Sequence, residues 1–168
     1  MEGKGRITGH TGLLALIGSP VGHSGSPAMY NYSFEKLGLD YAYVAFDIKV
    51  EEVKAALDAM RLFHMRGCNV TMPCKTEAAK YMDELSPAAR IIGAVNTIVN
   101  EDGKLIGHMT DGEGFVGNLR DHGIEIKGKK ITVAGGGGAA TAIQVQCALD
   151  GEREIRMFNI KDDFFDRT

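Results

Sequence analysis

Long apolar runs, a strong charge of either sign and a cysteine framework are all missing from this chain of 168 residues. No apolar stretch approaches the roughly 20 residues that a membrane span needs. No basic-then-apolar leader opens the sequence either, so neither a membrane partner nor a signal peptide is expected. The formal net charge is only −3, which leaves no electrostatic footprint for a nucleic acid. The three cysteines, Cys68, Cys74 and Cys147, cannot all pair and lack metal-ligand spacing. The histidines at 23, 64, 108 and 122 lack it too, so no metal site is expected. A reducing, cytoplasmic setting is the simplest expectation. Repeats and low-complexity tracts are absent. The length suits one ordinary domain or two small ones.

What the chain does have is glycine, 22 in all, mostly at the ends of apolar segments and four together at 135–138. The segments themselves alternate in type. Leu13–Ile17 is a continuous apolar run, the pattern of a buried parallel strand. Ser26-Pro27 then reads as a helix start, with Ser26 as N-cap and Pro27 at the first helical position, and Gly38 as the stop. Tyr41–Phe46 predicts a strand, and Glu51–Met60 a helix with Val53, Ala56, Leu57 and Met60 at helical spacing. Gly67–Thr71 predicts a third strand and Lys75–Tyr81 a third helix. This β-α-β-α-β-α order is the sign of a mostly parallel sheet with helices on its faces. A turn and a short helix follow at 83–89. Val95–Val99 and Lys104–His108 flank Asp102-Gly103, which predicts a hairpin. Gly112–His122 is read as a helix with Phe115, Val116 and Leu119 on one face. After a polar connection, Ile131–Ala134, a helix from Ala139 to Leu149 and Glu154–Phe158 form one further β-α-β unit. The methionines at 60, 65, 72 and 82 are read as packing.

Several polar positions suggest chemistry. Gly135–Gly138 follows a strand and opens a helix, where glycines let a backbone approach a pyrophosphate and the helix end supplies free N–H groups. The spacing is not the standard G-x-G-x-x-G. After the next strand, Asp162 suits an unphosphorylated ribose 2′-hydroxyl, whereas Lys161 suits a 2′-phosphate. Ser24 and Ser26, beside a helix N-terminus, offer hydroxyl donors to a carboxylate, or Ser26 is only a cap. Lys75 and Asp111 form a candidate catalytic pair. Reducing a ketone by hydride leaves an alkoxide, which an ammonium stabilises and protonates while a carboxylate holds the hydroxyl. Taken alone, each is as readily a solvated charge. Asn96, read as lying on a strand, is equally a plain amide near a turn.

In order along the chain stand Ser24-Gly25-Ser26-Pro27, Asn69-Val70-Thr71-Met72-Pro73-Cys74-Lys75, Gly93-Ala94-Val95-Asn96-Thr97, Thr110-Asp111-Gly112-Glu113-Gly114-Phe115 and the glycine cluster. With these motifs, from Leu14 to Asp166, the chain resembles the shikimate dehydrogenase family, and most nearly its quinate/shikimate dehydrogenase branch. The resemblance implies an α/β fold: a mostly parallel β-α-β substrate domain over residues 12–111, then the first part of a Rossmann-like NAD(P)-binding domain over 112–168. It implies that Ser24 and Ser26 bind the substrate carboxylate, that Thr71, Asn96 and Asp111 bind ring hydroxyls, and that Lys75 and Asp111 are catalytic. Gly135, Gly136, Gly137, Gly138 and Ala139 would cradle the pyrophosphate, and Asn159, Lys161 and Asp162 would meet the adenosine ribose. The implied reaction is the reversible NAD(P)-linked reduction of 3-dehydroshikimate to shikimate, or of dehydroquinate to quinate, on the way to chorismate and the aromatic amino acids.

The chain departs from the family pattern at Met109, where asparagine is frequent, and at Gly136, where alanine is common. Ile160 takes the place of an arginine that often helps bind NADP, which with Asp162 tilts the expectation toward NAD or use of both NAD and NADP. Family members are also substantially longer, with a full dinucleotide domain. A fragment of a longer chain is therefore expected, in preference to a chain completed by a partner such as a second copy. The alternative function is a non-catalytic remnant that binds shikimate-like acids or associates with a partner.

Overall fold

The computed structural model describes residues 7–160, which divide into two compact units. One holds the chain up to Leu85 together with Ala94–Gly107, and the other holds Ser86–Gly93 and the chain from His108 onward. Lys161 and Asp162 lie outside the described residues. Among the described residues no helix is long and apolar enough to cross a membrane.

The first unit contains β1 (Gly12–Gly18), α1 (Ser26–Leu37), β2 (Tyr41–Asp47), a 3-10 turn (Val50–Glu52), α2 (Val53–Leu62), β3 (Gly67–Val70), α3 (Lys75–Ala79), β4 (Glu84–Leu85), β5 (Thr97–Glu101) and β6 (Lys104–His108). Its six-stranded sheet has the order β2-β1-β3-β5-β6-β4. β1 runs parallel to β2 and β3, β3 antiparallel to β5, and β4 parallel to β6. The continuous apolar run of β1 is explained by burial on both faces. Leu16 packs with Val21, Phe34 and Tyr43, while Leu13 and Ile17 line a cavity with Leu57 and Met60 of α2 and Cys68 of β3. The Asp102-Gly103 hairpin has positive φ at both residues, 51° and 95°, as its turn type requires.

The second unit contains α4 (Pro87–Ile92), α5 (Asp111–Asp121), β7 (Lys130–Ala134), α6 (Gly138–Leu149) and β8 (Glu154–Phe158). β7 and β8 pair in parallel, and Val116, Ile126 and Cys147 form the core with Leu119, Ile131, Ile143 and Ile155. α5 and α6 meet at Gly112, where an added Cβ would collide with the carbonyl oxygen of Ala142. A side chain of any size would push the helices apart.

Four local expectations need correction. Gly25, not Ser26, is the N-cap of α1, and no side chain caps that end. Asn96 lies in a bend just before β5 rather than on a strand. β4 is a two-residue strand, too short to leave a periodic signal. Met72 is 67 % exposed and packs no core, while Met60 and Met65 are buried as packing residues.

Candidate active site

In the first unit, three chain segments meet at one end of the sheet. The parallel strands β1 and β3 finish there, and the antiparallel β5 begins there. Thr71 N–H donates to the Ile17 carbonyl at 2.9 Å, and Ser19 N–H donates to the Met72 carbonyl at 3.1 Å. Val70 N–H donates to the Asn96 carbonyl at 2.8 Å, and Val95 N–H donates to the Lys75 carbonyl at 3.0 Å. The backbone therefore fixes Thr71, Lys75 and Asn96 relative to one another. Both Ser19-Pro20 and Met72-Pro73 are cis. Gly18 has φ +151°, and a Cβ there would collide with the Thr71 side chain, so only glycine lets the two strand ends approach this closely. The carboxyl ends of parallel strands are where open α/β sheets hold small ligands.

Ser24 and Ser26 lie on the loop that leaves β1. Ser26 N–H donates to Ser24 Oγ at 3.2 Å, a contact within the loop that ties the two serines together. Lys75 is the first residue of α3, where its positive charge opposes the helix dipole. A charge placed against local electrostatics is what a functional site tolerates and a structural one avoids.

Asn69 was quoted within its motif without a role, yet it is a node of this site. Its Nδ2 donates to Thr97 Oγ1 at 3.2 Å and lies 3.5 Å from the Asn96 carbonyl. Its Oδ1 accepts from the Tyr43 hydroxyl at 2.8 Å, and burial raises the pKa of that tyrosine above the ordinary range. The one signal in the sequence was a polar amide inside a short apolar strand.

In the second unit, Asp111 is the first residue of α5, the end of a helix that favours a carboxylate. Lys75 and Asp111 thus stand in different units. The glycine cluster lies between a strand and a helix. β7 ends at Ala134, Gly135 has φ +112°, and α6 begins at Gly138 with Gly137 as N-cap and no side chain on its free N–H groups. A Cβ at Gly137 or Gly138 would meet nothing within 4 Å, so the backbone is open to a ligand. Gly135, Gly136 and Gly137 line a concave pocket with Phe158, Asn159 and Ile160.

Gly136 is buried for a different reason, because the Asn159 carboxamide occupies the space a Cβ would need. The alanine common in the family does not fit here without moving Asn159. Asn159 Nδ2 is itself buried, with no hydrogen-bond partner among the described residues. An unsatisfied buried donor beside an open glycine cradle fits the ribose end of a dinucleotide.

Residues 16–98 match the family described as the shikimate dehydrogenase substrate binding domain. The shikimate dehydrogenase (NADP(+)) of Listeria monocytogenes serotype 4b is 56 % identical over 160 residues, 95 % of this chain and 55 % of its own length. The chain belongs to the shikimate dehydrogenase family. A crystal structure of the Listeria monocytogenes shikimate 5-dehydrogenase with shikimate and NAD superposes with a TM-score of 0.94 at 55 % identity, covering 96 % of this chain and 56 % of that one. A shikimate dehydrogenase in complex with NADP+ gives a TM-score of 0.85 at 43 % identity, covering 92 % and 53 %. These matches extend the α/β reading past the substrate-binding domain into the start of the Rossmann-like domain. The chain spans about half the length of the curated relatives it matches.

Proposed function

We propose that this chain carries the substrate site and the opening of the cofactor site of a shikimate dehydrogenase, which reversibly reduces 3-dehydroshikimate to shikimate with a nicotinamide dinucleotide. The observation that carries the reading is the meeting of Thr71, Lys75 and Asn96 at the sheet end reached by the Ser24–Ser26 loop. Ser24 and Ser26 hold the carboxylate, and Thr71 and Asn96 take the ring hydroxyls. Lys75 and Asp111 are assigned the catalytic roles. The substrate-binding part is residues 12–111, and the cofactor-binding part begins after it.

The dinucleotide supplies the hydride when bound. The chain's own groups handle the oxygen and its proton. As the ketone becomes an alcohol, negative charge collects on its oxygen, and the Lys75 ammonium stabilises that charge and delivers a proton. Asp111 is assigned to accept a hydrogen bond from the substrate hydroxyl. In the reverse direction the same pair withdraws the proton.

For the dinucleotide, Gly135, Gly136, Gly137, Gly138 and Ala139 form the pyrophosphate cradle, and Asn159 meets the ribose, with Lys161 and Asp162 following it in sequence. The tilt toward NAD drawn from Ile160 and Asp162 is not kept. The curated relatives are named for NADP(+), while one solved relative holds NAD and another NADP+. NADP is therefore the preferred reading, with NAD as a second substrate. Shikimate is preferred to quinate on the same names.

The test is appearance of reduced-nicotinamide absorbance with shikimate and NADP, set beside Lys75→Ala. The variant should bind the dinucleotide within about twofold of the parent and turn over at least about 100-fold more slowly. Equal turnover by both would remove Lys75 from the chemistry. Loss of dinucleotide affinity would reassign it.

A further inference from the structure

We propose that Asn31 is a positioning residue for the carboxylate end of the substrate site, a role that rests on reading Ser24 and Ser26 as the carboxylate donors. Asn31 lies one turn into α1 and is half-buried. Asparagine is a poor choice for a helix interior, because its amide competes for backbone hydrogen bonds. Here that competition is put to use. Asn31 Nδ2 donates to the Pro27 carbonyl and to the Tyr43 carbonyl, each at 2.7 Å. Asn31 Oδ1 accepts from Tyr43 N–H at 3.0 Å.

β2 is an edge strand of the sheet, and Tyr43 turns both its backbone groups away from β1. A single carboxamide satisfies that pair in place of a neighbouring strand, and by the same bonds fixes the first turn of α1 to the sheet. The helix has few other anchors. Phe34 is its one buried residue, Tyr30 stacks on Tyr43 with ring centroids 4.5 Å apart, and Met29, Tyr32 and Leu37 are exposed.

The two serines are tied to that first turn. Met29 N–H donates to the Gly25 carbonyl at 3.0 Å, and Ser24 N–H donates to the Val21 carbonyl at 3.0 Å. Ser26 N–H closes on Ser24 Oγ. The height of the serine hydroxyls above the sheet is thus set by the turn that Asn31 holds. Tyr43 also reaches the other end of the site, since its hydroxyl donates to Asn69, which holds Thr97. The carboxylate end and the hydroxyl end are referenced to one strand residue.

The experiment titrates this chain with shikimate and with its methyl ester, which keeps the ring hydroxyls and lacks the carboxylate charge. Asn31→Ala removes all three bonds, and Asn31→Asp keeps only the acceptor. Shikimate binding should weaken about tenfold or more, the size of a lost hydrogen bond to a charged group, while the ester changes by less than about twofold. Equal losses for both compounds, or no loss for shikimate, overturn the proposal. So does failure of both variants to fold, which would make the role one of stability alone. A parent chain that binds neither compound contradicts the functional reading itself, a result distinct from a parent that binds and a variant that binds equally well.

Discussion

Every cysteine of this chain is buried and free, in surroundings that penalise a thiolate. Burial pushes the Cys68 thiol up to about 12. Cys74 and Cys147 are raised by burial first and by nearby glutamates second, with Asp150 adding to Cys147. Cys74 stands next to Lys75 in sequence, yet its Sγ is turned toward the Ile48 carbonyl at 3.6 Å. A raised thiol pKa means little thiolate at neutral pH. The native protein should therefore react with an aromatic disulfide reagent at pH 7.5 only as fast as it unfolds, and all three thiols should appear at once in denaturant. Rapid labelling of Cys74 in the native state would show an accessible thiolate beside the proposed site. The lack of metal-ligand spacing among the three cysteines was plain in the sequence. Asn31, Tyr43 and Asn69 were a different matter. Their work is done through hydrogen bonds between residues 12 to 28 positions apart, and no local pattern announces such pairs.

Elements were legible where one side-chain period ran through them, and less so where backbone pairing decided. The apolar runs of β1, β2 and β3 and the spacing in α2 followed from composition. β4 is anchored at its start by Asp83. Asp83 Oδ2 accepts from Leu105 N–H at 2.7 Å and from Arg61 Nη2 at 2.9 Å, and Asp83 N–H donates to the Leu105 carbonyl at 2.9 Å. The Leu105 backbone donor, then Arg61, hold the Asp83 carboxyl below its usual range. A lowered folded-state pKa gives stability that is present above the unfolded value and is lost as pH falls through the folded one. Asp83→Asn should lower the melting temperature at pH 7, and the gap to the parent should narrow below about pH 4. A gap independent of pH would contradict the assignment.

The α5–α6 contact makes a second test at this scale. Gly112 faces the Ala142 carbonyl, whereas a Cβ at Gly114 meets nothing within 4 Å. Gly112→Ala should destabilise by about 1–3 kcal/mol through overpacking. Gly114→Ala, in the same helix, should be neutral or stabilise by about 0.5–1 kcal/mol. Denaturant midpoints of the two variants separate the outcomes, and equal shifts would remove the close approach at Gly112.

At the scale of the whole chain, the family and the α/β class were readable from five short motifs because their spacing is set by strand ends and helix starts. The glycine cluster shows what was not readable. Gly136 stood out as a departure from alanine, but the reason is a carboxamide 23 positions later, Asn159, lying where a methyl group would go. A substitution and its compensation are visible together only when β7 and β8 are seen side by side. The central claim concerns the other unit, whose sheet end carries the groups proposed to hold the substrate. The most direct measurement is an amide-resolved NMR titration of this 168-residue chain with shikimate. The account predicts saturable binding at one site, with the largest shifts at Ser24, Ser26, Thr71, Lys75 and Asn96. Absence of binding, or saturation that shifts none of these residues, would contradict it.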